Sequence, residues 1–284
     1  MPALRDKTAI ITGGSGGIAT AVAEAMLQEG ARIMLADCCR SRLETSLAKL
    51  NSPGRVVAVL TDVSDLDQVQ NLTTETLQKF GSIDILINAA GIQKPIGPFL
   101  ETDIRDWIRN INVNLIGTAA CCRAVLPYMI KQKRGKIINF SGGGATSPRQ
   151  NFTAYACAKT AVVRFTETLA LEVAPYGIDV NAIAPGAVAT SMIREIVNSG
   201  QKAGLPELDS ANKIMRQGGT DPHLPAQLIV FLASEKANDL TGRLISAVWD
   251  DWRKFDGQIS RIVNSPLYTL RRIDGRNFTA VISK

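Results

Sequence analysis

One stretch decides the fold class of this 284-residue chain: Lys7-Thr8-Ala9-Ile10-Ile11-Thr12-Gly13-Gly14-Ser15-Gly16-Gly17. A short apolar run ends in a cluster of glycines, and an apolar helical pattern follows from Ile18 to about Gln28. A glycine-rich turn between a buried strand and a helix lets the backbone approach a pyrophosphate, whose charge the helix N-terminus favours. The position of this loop therefore predicts dinucleotide binding, with an ordinary tight turn as the alternative.

The alternation of strand and helix continues along the chain. Strands are predicted at about 7–12, 32–36, 56–60, 83–87, 136–140, 179–183 and 244–248, and helices at about 18–28, 41–50, 65–80, 103–112, 115–132 and 152–174. Apolar, β-branched strands separated by helices predict a parallel sheet that is covered on both faces. We expect an α/β fold in residues 1–249, a single-domain Rossmann-type doubly wound parallel sheet with helices on both faces.

Two regions depart from this alternation. Residues 187–222 carry several glycines among helix-compatible stretches, which predicts a helical substrate lid after a strand end. Residues 250–284 have no clear period, and we expect them to pack on the domain or at a subunit interface. Trp249 and Trp252 flank Asp250 and Asp251, a pattern that suits stacking on a sugar-like or cyclic alcohol, with ordinary core or interface packing as the alternative.

Composition narrows the class of protein. Hydrophobic residues make up 45% and charged residues 20% of the chain, which is typical of a soluble globular protein. By this reading no apolar run is long enough to cross a bilayer, and the N-terminal residues do not resemble a signal peptide. We therefore expect a cytoplasmic protein with no membrane association.

Charge and metal-ligating residues exclude two further classes. The net charge of +6 is scattered along the chain, so we expect no nucleic-acid partner. Five cysteines match neither a zinc spacing nor a disulfide framework, and the only histidine, His223, stands at a predicted helix start. We expect no metal site, and we expect His223 to be structural.

A possible proton-transfer pair lies on the long predicted helix at 152–174. Tyr155 and Lys159 are four residues apart, so both project from one face of that helix. A nearby cation stabilises a phenolate and lowers the tyrosine pKa from its ordinary value of ~10. This is how a tyrosine becomes a general acid or base at cellular pH, although the spacing alone recurs on many solvated helices.

Asp37 ends the second predicted strand. A carboxylate at this place accepts hydrogen bonds from the adenosine ribose hydroxyls and repels the additional phosphate of NADP, so it favours NAD as the cofactor. Arg40 and Arg42 lie close enough in sequence to weaken that preference. The alternative is that Asp37 only caps the following helix.

Further motifs follow in a fixed order. They are Thr12-Gly13-Gly14-Ser15-Gly16-Gly17-Ile18-Ala19, Asp62-Val63, Asn88-Ala89-Ala90-Gly91, Asn112-Val113-Asn114, the Tyr155–Lys159 pair, and the stretch from Asn181 through Pro185, Gly186 and Val188 to Thr190. In this order they resemble the short-chain dehydrogenase/reductase family from about Lys7 to Val248. The first departs from the family's T-G-x-x-x-G-x-G loop, because Ala19 replaces the last glycine.

The resemblance implies a role for each matched residue. Tyr155 would exchange a proton with the substrate oxygen, Lys159 would lower the tyrosine pKa and bind the nicotinamide ribose, and Asn114 would hold a water beside Lys159. The implied cofactor site comprises Gly13, Ser15, Gly16, Gly17, Ile18, Asp37, Asp62, Val63, Asn88, Ala89, Gly91, Tyr155, Lys159, Pro185, Gly186, Val188 and Thr190.

The chain departs from the family at the catalytic serine. That serine usually stands thirteen residues before the tyrosine, where this chain has Gly142, and Ser141 precedes it by one residue. Three glycines follow Ser141, so a one-residue bulge could bring its hydroxyl to the substrate oxygen. Backbone N–H groups of the glycines, Thr146 or Ser147 are the alternatives.

Together these features predict an NAD(H)-dependent oxidoreductase that interconverts a secondary alcohol and a ketone. The predicted substrate is a polar, sugar-like or cyclic alcohol, and a 3-oxoacyl thioester is the alternative. Gly142 at the serine position motivates a different class, a catalytically degraded dinucleotide-binding regulatory or scaffold protein. The resemblance also implies a homodimer or homotetramer built on helices 115–132 and 152–174.

Overall fold

The computed structural model of the protein describes residues 2–274. Seven parallel strands form one sheet in the order β3-β2-β1-β4-β5-β6-β7. The strands are β1 Thr8–Thr12, β2 Arg32–Asp37, β3 Val56–Leu60, β4 Ile85–Asn88, β5 Gly135–Phe140, β6 Ile178–Ala184 and β7 Leu244–Ser246. The predicted α/β class and the doubly wound parallel sheet are confirmed, and the last strand is shorter than expected.

Helices connect the strands and cover both faces of the sheet. They are α1 Gly17–Gln28, α2 Arg40–Leu50, α3 Leu66–Phe80, α4 Ile104–Ile111, α5 Gly117–Gln132, α6 Thr153–Val173, α7 Ser191–Ser199, α8 Leu205–Gln217, α9 His223–Ala233 and α10 Ile259–Val263. Helices α4 and α5, predicted as separate elements, are joined through a π-helical turn at Asn112–Ile116. They therefore form one continuous helical run.

Two apolar cores lie on opposite faces of the sheet. Successive side chains of a strand point to opposite faces, so Ile11 belongs to the core formed with α1, α2 and α9, whereas Ile10 belongs to the core formed with α3, α5 and α6. Both residues are at most 1% exposed. This burial on two faces explains why the strands are apolar along their whole length rather than alternating with polar residues.

The order of the strands reverses between β1 and β4. Chain crossovers run in opposite directions from these two strands, which opens a crevice at their carboxyl ends. Gly13 follows β1 with a φ of +64°, and a methyl group on its α-carbon would lie 2.7 Å from the Cα atom of Ala90. Only glycine permits this close approach between the loops that follow β1 and β4.

The segment after β7 packs against the domain as far as the structure describes it. Trp252 and Phe255 are 5% and 3% exposed in the core that contains α9, and the indole N–H of Trp252 donates to the carbonyl of Ala247 at 3.2 Å. The N–H of Leu244 donates to the carbonyl of Tyr268 at 2.8 Å, so the segment returns to the edge of β7. Trp252 is therefore an ordinary core aromatic.

One helical run meets the length of a membrane span. The run Ile104–Gln132 has 29 residues and is apolar enough to cross a bilayer by composition, contrary to the sequence-based expectation. Of its most apolar window, 39% is buried inside the fold. This is weak evidence for a membrane span, because core helices of soluble proteins meet the same criterion.

Candidate active site

A cleft of about 960 Å³ runs along the carboxyl edge of the sheet. The predicted site residues that line it are Gly13, Ser15, Gly16, Gly17, Ile18, Asp37, Asp62, Val63, Ala89, Gly91, Ser141, Tyr155, Lys159, Pro185, Gly186, Val188 and Thr190. The loops after β1 to β6 all contribute to this lining. The fold thus brings residues that are far apart in sequence to one continuous site.

The glycine loop and the first turn of α1 form one end of the cleft. Gly16 caps the helix without a side-chain hydrogen bond, and the first turn contains no acidic residue. Its first N–H groups are therefore available to an anion, and the helix dipole favours negative charge at this point. These residues fit the pyrophosphate of a dinucleotide.

Asp37 lies at the end of β2 beside this loop. Its Oδ2 atom accepts hydrogen bonds from the backbone N–H and the hydroxyl of Ser15, at 3.3 and 2.5 Å. Its Oδ1 atom accepts from the N–H of Cys39 and from Nη2 of Arg42, each at 3.1 Å. Asp37 therefore fastens the glycine loop to β2 and places a negative charge where an adenosine ribose would lie.

Helix α6 carries the tyrosine and the lysine of the predicted pair. Both side chains are buried, at 7% and 3% exposure. Nζ of Lys159 lies 5.7 Å from the ring centroid of Tyr155 and donates to the carbonyl of Phe140 at 2.9 Å. Burial raises the pKa of Tyr155 and lowers the pKa of Lys159 to about 8.

A second cation acts on the tyrosine. Cζ of Arg149 lies 5.8 Å from the ring centroid of Tyr155, and its charge opposes the rise in the tyrosine pKa that burial causes. The sequence predicts this effect for Lys159, and the structure adds Arg149 as a further cation close to the ring. The loop between β5 and α6 brings Arg149 to the cleft wall.

The predicted position of Ser141 is also corrected. The N–H of Ser141 donates to the carbonyl of Ile183 at 2.8 Å, so pairing between β5 and β6 continues in register and contains no bulge. The hydroxyl of Ser141 lies 3.4 Å from the carbonyl of Lys159, to which it donates. A methyl group on Gly142 would instead lie 2.7 Å from Oη of Tyr155. It is Gly142 that faces the tyrosine hydroxyl.

Asn114 lies in the π-helical turn, behind the cleft wall. Its Nδ2 atom donates to the carbonyl of Ile92 at 2.8 Å, and its Oδ1 atom accepts from the N–H of Ile92 at 3.3 Å. A methyl group on Gly91 would lie 2.6 Å from Oδ1 of Asn114 and 3.5 Å from Nζ of Lys159. Gly91 thus separates the two predicted partners, and only glycine leaves them this close.

Asn88 is the one predicted cofactor residue that does not line the cleft. Its side chain is 2% exposed and donates to Oδ1 of Asn139 at 2.9 Å and to Sγ of Cys122 at 3.4 Å. The amide therefore connects β4 to β5 inside the fold. The side chain of Asn88 therefore does not face the cleft, and its assignment to the cofactor site stays a prediction.

The structure adds cleft residues that the motifs do not predict. They are Gln93, Arg149, Met192, Ile193, Glu195, Glu207 and Tyr268, whereas Trp249 and Asp250, which the sequence pattern singled out, also line the cleft. Arg149 and Glu207 are 58 residues apart and meet only in the folded chain. The one sequence signal was the glycine content of residues 187–222, which form α7, a short 3-10 turn and α8 and supply four of these residues.

Fold and cleft define an oxidoreductase of the dinucleotide-binding α/β class. The chain belongs to the short-chain dehydrogenase family, whose model matches residues 7–200. The resemblance predicted from the sequence motifs is thereby confirmed.

Similar proteins support this assignment. The chain is 34% identical over 243 residues to 3-oxoacyl-[acyl-carrier-protein] reductase FabG of Thermotoga maritima, which covers 85% of this chain and 96% of the relative. It is 37% identical over 250 residues to oxidoreductase UcpA of Salmonella typhimurium, covering 85% and 93%.

Solved structures show the same fold. Levodione reductase superposes with a TM-score of 0.79 at 28% identity and covers 90% of this chain and 99% of its own. NAD⁺-bound xylitol dehydrogenase superposes with a TM-score of 0.78 at 27% identity and covers 86% and 98%.

Proposed function

We propose that the protein is an NAD(H)-dependent oxidoreductase that interconverts a secondary alcohol and a ketone. The observation that carries this proposal is the cleft itself, which has a dinucleotide cradle at one end and the buried Tyr155–Lys159 pair further along. A nicotinamide bound there would supply or accept the hydride. The protein's own residues hold the substrate, exclude water and move the proton.

Tyr155 exchanges the proton with the substrate oxygen. Its burial favours the neutral phenol, which suits the donation of a proton during ketone reduction. In the opposite direction the tyrosine must become a phenolate, and the nearby charges of Arg149 and Lys159 stabilise that anion. The hydrogen bond to the Phe140 carbonyl keeps the Lys159 ammonium beside the ring.

The preference for NAD rests on Asp37. Its buried carboxylate stands at the end of β2, where a 2′-phosphate would meet negative charge. Arg42 pairs with this carboxylate at 3.1 Å and is 56% exposed, so part of the repulsion is neutralised. We therefore expect NADH to bind more tightly than NADPH, by a margin that Arg42 reduces.

The substrate is proposed to be a polar, sugar-like or cyclic alcohol. Trp249 is 87% exposed at the cleft wall, beside Asp250, and offers a ring on which such a substrate can stack. The structural neighbours act, by their names, on levodione and xylitol. The similarity to a 3-oxoacyl-[acyl-carrier-protein] reductase supports a thioester substrate as the second candidate.

We also propose a homodimer or homotetramer. The helical run from α4 to α5 exposes Ile104, Ile108 and Ile116, each about half exposed, and α6 exposes Leu171 at 79%. Large apolar side chains exposed along these helices favour burial against a second subunit.

The proposed function is tested with a panel of ketones and either NADH or NADPH. We expect oxidation of NADH by at least one polar cyclic ketone, and a lower rate with NADPH. If the protein binds NADH but oxidises it with no ketone or 3-oxoacyl thioester, it is a dinucleotide-binding scaffold or regulator instead.

A further inference from the structure

The glycine loop leaves the substrate end of the cleft without a hydroxyl opposite Tyr155. Ser141 donates to the Lys159 carbonyl, residues 142–144 are glycines, and residue 145 is alanine. A methyl group on Gly142 would already lie 2.7 Å from Oη of Tyr155, so a side chain at this position would displace the tyrosine. Thr146 and Ser147 of the same loop also line the cleft, and a further polar contact to the substrate can come from another element.

Arg149 is a second cation at this end of the cleft, besides Lys159. Its guanidinium lies over the buried ring of Phe152, with Cζ 3.9 Å from the centroid, and Cζ is 5.8 Å from the centroid of Tyr155. The side chain is 15% exposed. Stacking on Phe152 fixes the plane of the guanidinium, as cations prefer the face of an aromatic ring.

Glu207 of α8 holds the outer edge of this guanidinium. Nε and Nη2 of Arg149 donate to the two carboxylate oxygens of Glu207 at 2.7 and 2.8 Å, a bidentate pair. This ion pair occupies the Nε–Nη2 edge of the guanidinium and balances its positive charge. Nη1 lies on the opposite edge, 3.5 Å from Oε1 of the buried Gln93. Gln93 can accept only one of the two N–H hydrogens of Nη1, so the other is available to a ligand.

Nη1 borders the space beside the glycine loop. A methyl group on Gly143 would lie 3.7 Å from Nη1, just as one on Gly142 would lie 2.7 Å from Oη of Tyr155. The α-carbons of adjacent residues are ~3.8 Å apart. Cζ of Arg149 also lies 5.8 Å from the ring centroid of Tyr155, so the two side chains border the same part of the cleft.

We propose that Nη1 of Arg149 binds a second oxygen of the substrate, on the carbon next to the one that reacts at Tyr155. Because Glu207 balances the charge of Arg149, the site selects an uncharged oxygen, such as a hydroxyl, ether or carbonyl, over a carboxylate. Arg149 is thus a specificity-determining residue and Glu207 is its positioning residue. This inference rests on the proposed function, since it names the substrate class of the same site.

Two ketones of similar size test the inference. They are 2-methoxycyclohexanone and 2-ethylcyclohexanone, which differ by one ether oxygen in place of a methylene. The wild-type protein should reduce the methoxy ketone with a kcat/KM about 10- to 100-fold higher, the worth of one hydrogen bond from a charged donor. The same preference should appear in calorimetric binding to the NAD⁺ complex, where neither ketone can accept a hydride.

Substitutions assign the preference to its residues. Arg149→Gln should bring the ratio of the two kcat/KM values to about one and leave NADH affinity within about twofold, since Nη1 lies at the substrate end of the cleft. The rate with 2-ethylcyclohexanone reports separately how much the charge of Arg149 contributes at Tyr155. The double variant Arg149→Gln with Glu207→Gln should lose no more of the preference for the methoxy ketone than Arg149→Gln alone, because Glu207 acts through Arg149. Arg105→Gln, at an exposed Arg–Asp pair on α4, is the matched control and should keep the preference.

The outcomes separate the two proposals. A preference in the calorimetric experiment without turnover would support the oxygen site and contradict the oxidoreductase activity. Turnover of both ketones at equal kcat/KM, or no binding preference, would overturn the oxygen site and leave the activity intact. An Arg149→Gln variant that loses the same factor with both ketones would keep the preference for the methoxy ketone, and this result would overturn the inference as well.

Discussion

The buried position of Lys159 in the proposed Tyr155–Lys159 pair destabilises the folded protein. Lys159 is buried, and folding lowers its pKa from 10.5 to about 8, which corresponds to a penalty on the order of 3 kcal/mol for burying the ammonium. The hydrogen bond to the Phe140 carbonyl at 2.9 Å offsets part of that penalty. The proposed role of Lys159 beside Tyr155 accounts for an ammonium at a position that packing alone would not favour.

Replacing Lys159 separates stability from activity. Lys159→Met should raise the free energy of unfolding at pH 7 by about 1–2 kcal/mol, because the penalty disappears and one hydrogen bond is lost. Turnover should fall. Lys159 loses its proton near pH 8 in the folded protein and near pH 10.5 in the unfolded chain, so the wild type becomes more stable as the pH rises through this interval. The difference in free energy of unfolding between Lys159→Met and the wild type should therefore be smaller at pH 9.5 than at pH 7.

Urea unfolding of both proteins at pH 7 and 9.5 measures this difference. A Lys159→Met variant that is less stable than the wild type at pH 7 would contradict the account.

The cysteines report on the cofactor end of the cleft. Cys38 and Cys157 are both exposed, but only Cys38 lines the cleft, next to Asp37. NADH should therefore slow the alkylation of Cys38 by iodoacetamide at least about tenfold and leave Cys157 unchanged. Peptide mass spectrometry measures both rates in one sample. Equal rates at Cys38 with and without NADH would place the cofactor elsewhere.

At the scale of the elements, the sequence predicts most of what the structure contains. Strand and helix positions follow from apolar periodicity, because a parallel sheet buries whole strands and the helices need one apolar face. Side-chain direction within loops is not encoded in that periodicity. The hydroxyl of Ser141 could not be placed, since its direction depends on whether β5 and β6 stay in register as far as Ile183.

Sequence patterns also do not predict contacts between distant loops. The Arg149–Glu207 pair joins the loop before α6 to α8, and neither residue belongs to a periodic pattern or a family motif. Trp249 and Trp252 are three residues apart, yet one is 87% exposed and the other 5%. Only the path of the chain after β7 decides which of them is a core residue.

The exposed apolar side chains of the α4–α5 run predict a contact between subunits. Ile108→Glu should reduce the oligomer to a smaller species, because it places a charge in the apolar surface that also includes Ile104 and Ile116. Sedimentation velocity measures the change. Leu66→Glu, at a 64% exposed leucine at the start of α3, is the matched control and should leave the mass unchanged. An unchanged mass in Ile108→Glu would remove this face from the interface.

At the scale of the whole molecule, the order of the strands explains why the proposed dinucleotide site and the Tyr155–Lys159 pair lie in one cleft. The reversal between β1 and β4 opens the crevice for the dinucleotide, while β5 and α6 bring the Phe140 carbonyl, Lys159 and Tyr155 to its continuation. The segments after β6 and β7 close the outer side with residues such as Glu207 and Trp249. The proposed cofactor residues therefore follow family motifs, whereas the proposed substrate side is formed by loops that carry no family motif.

The central claim is that Tyr155 performs proton transfer at a dinucleotide-binding cleft. The most direct measurement compares NADH affinity and ketone reduction in Tyr155→Phe with those in the matched control Tyr176→Phe, an exposed tyrosine in the 3-10 turn that follows α6. We predict that both variants bind NADH as the wild type does, and that only Tyr155→Phe slows turnover, by at least ~10²-fold. Wild-type turnover in Tyr155→Phe would contradict the account.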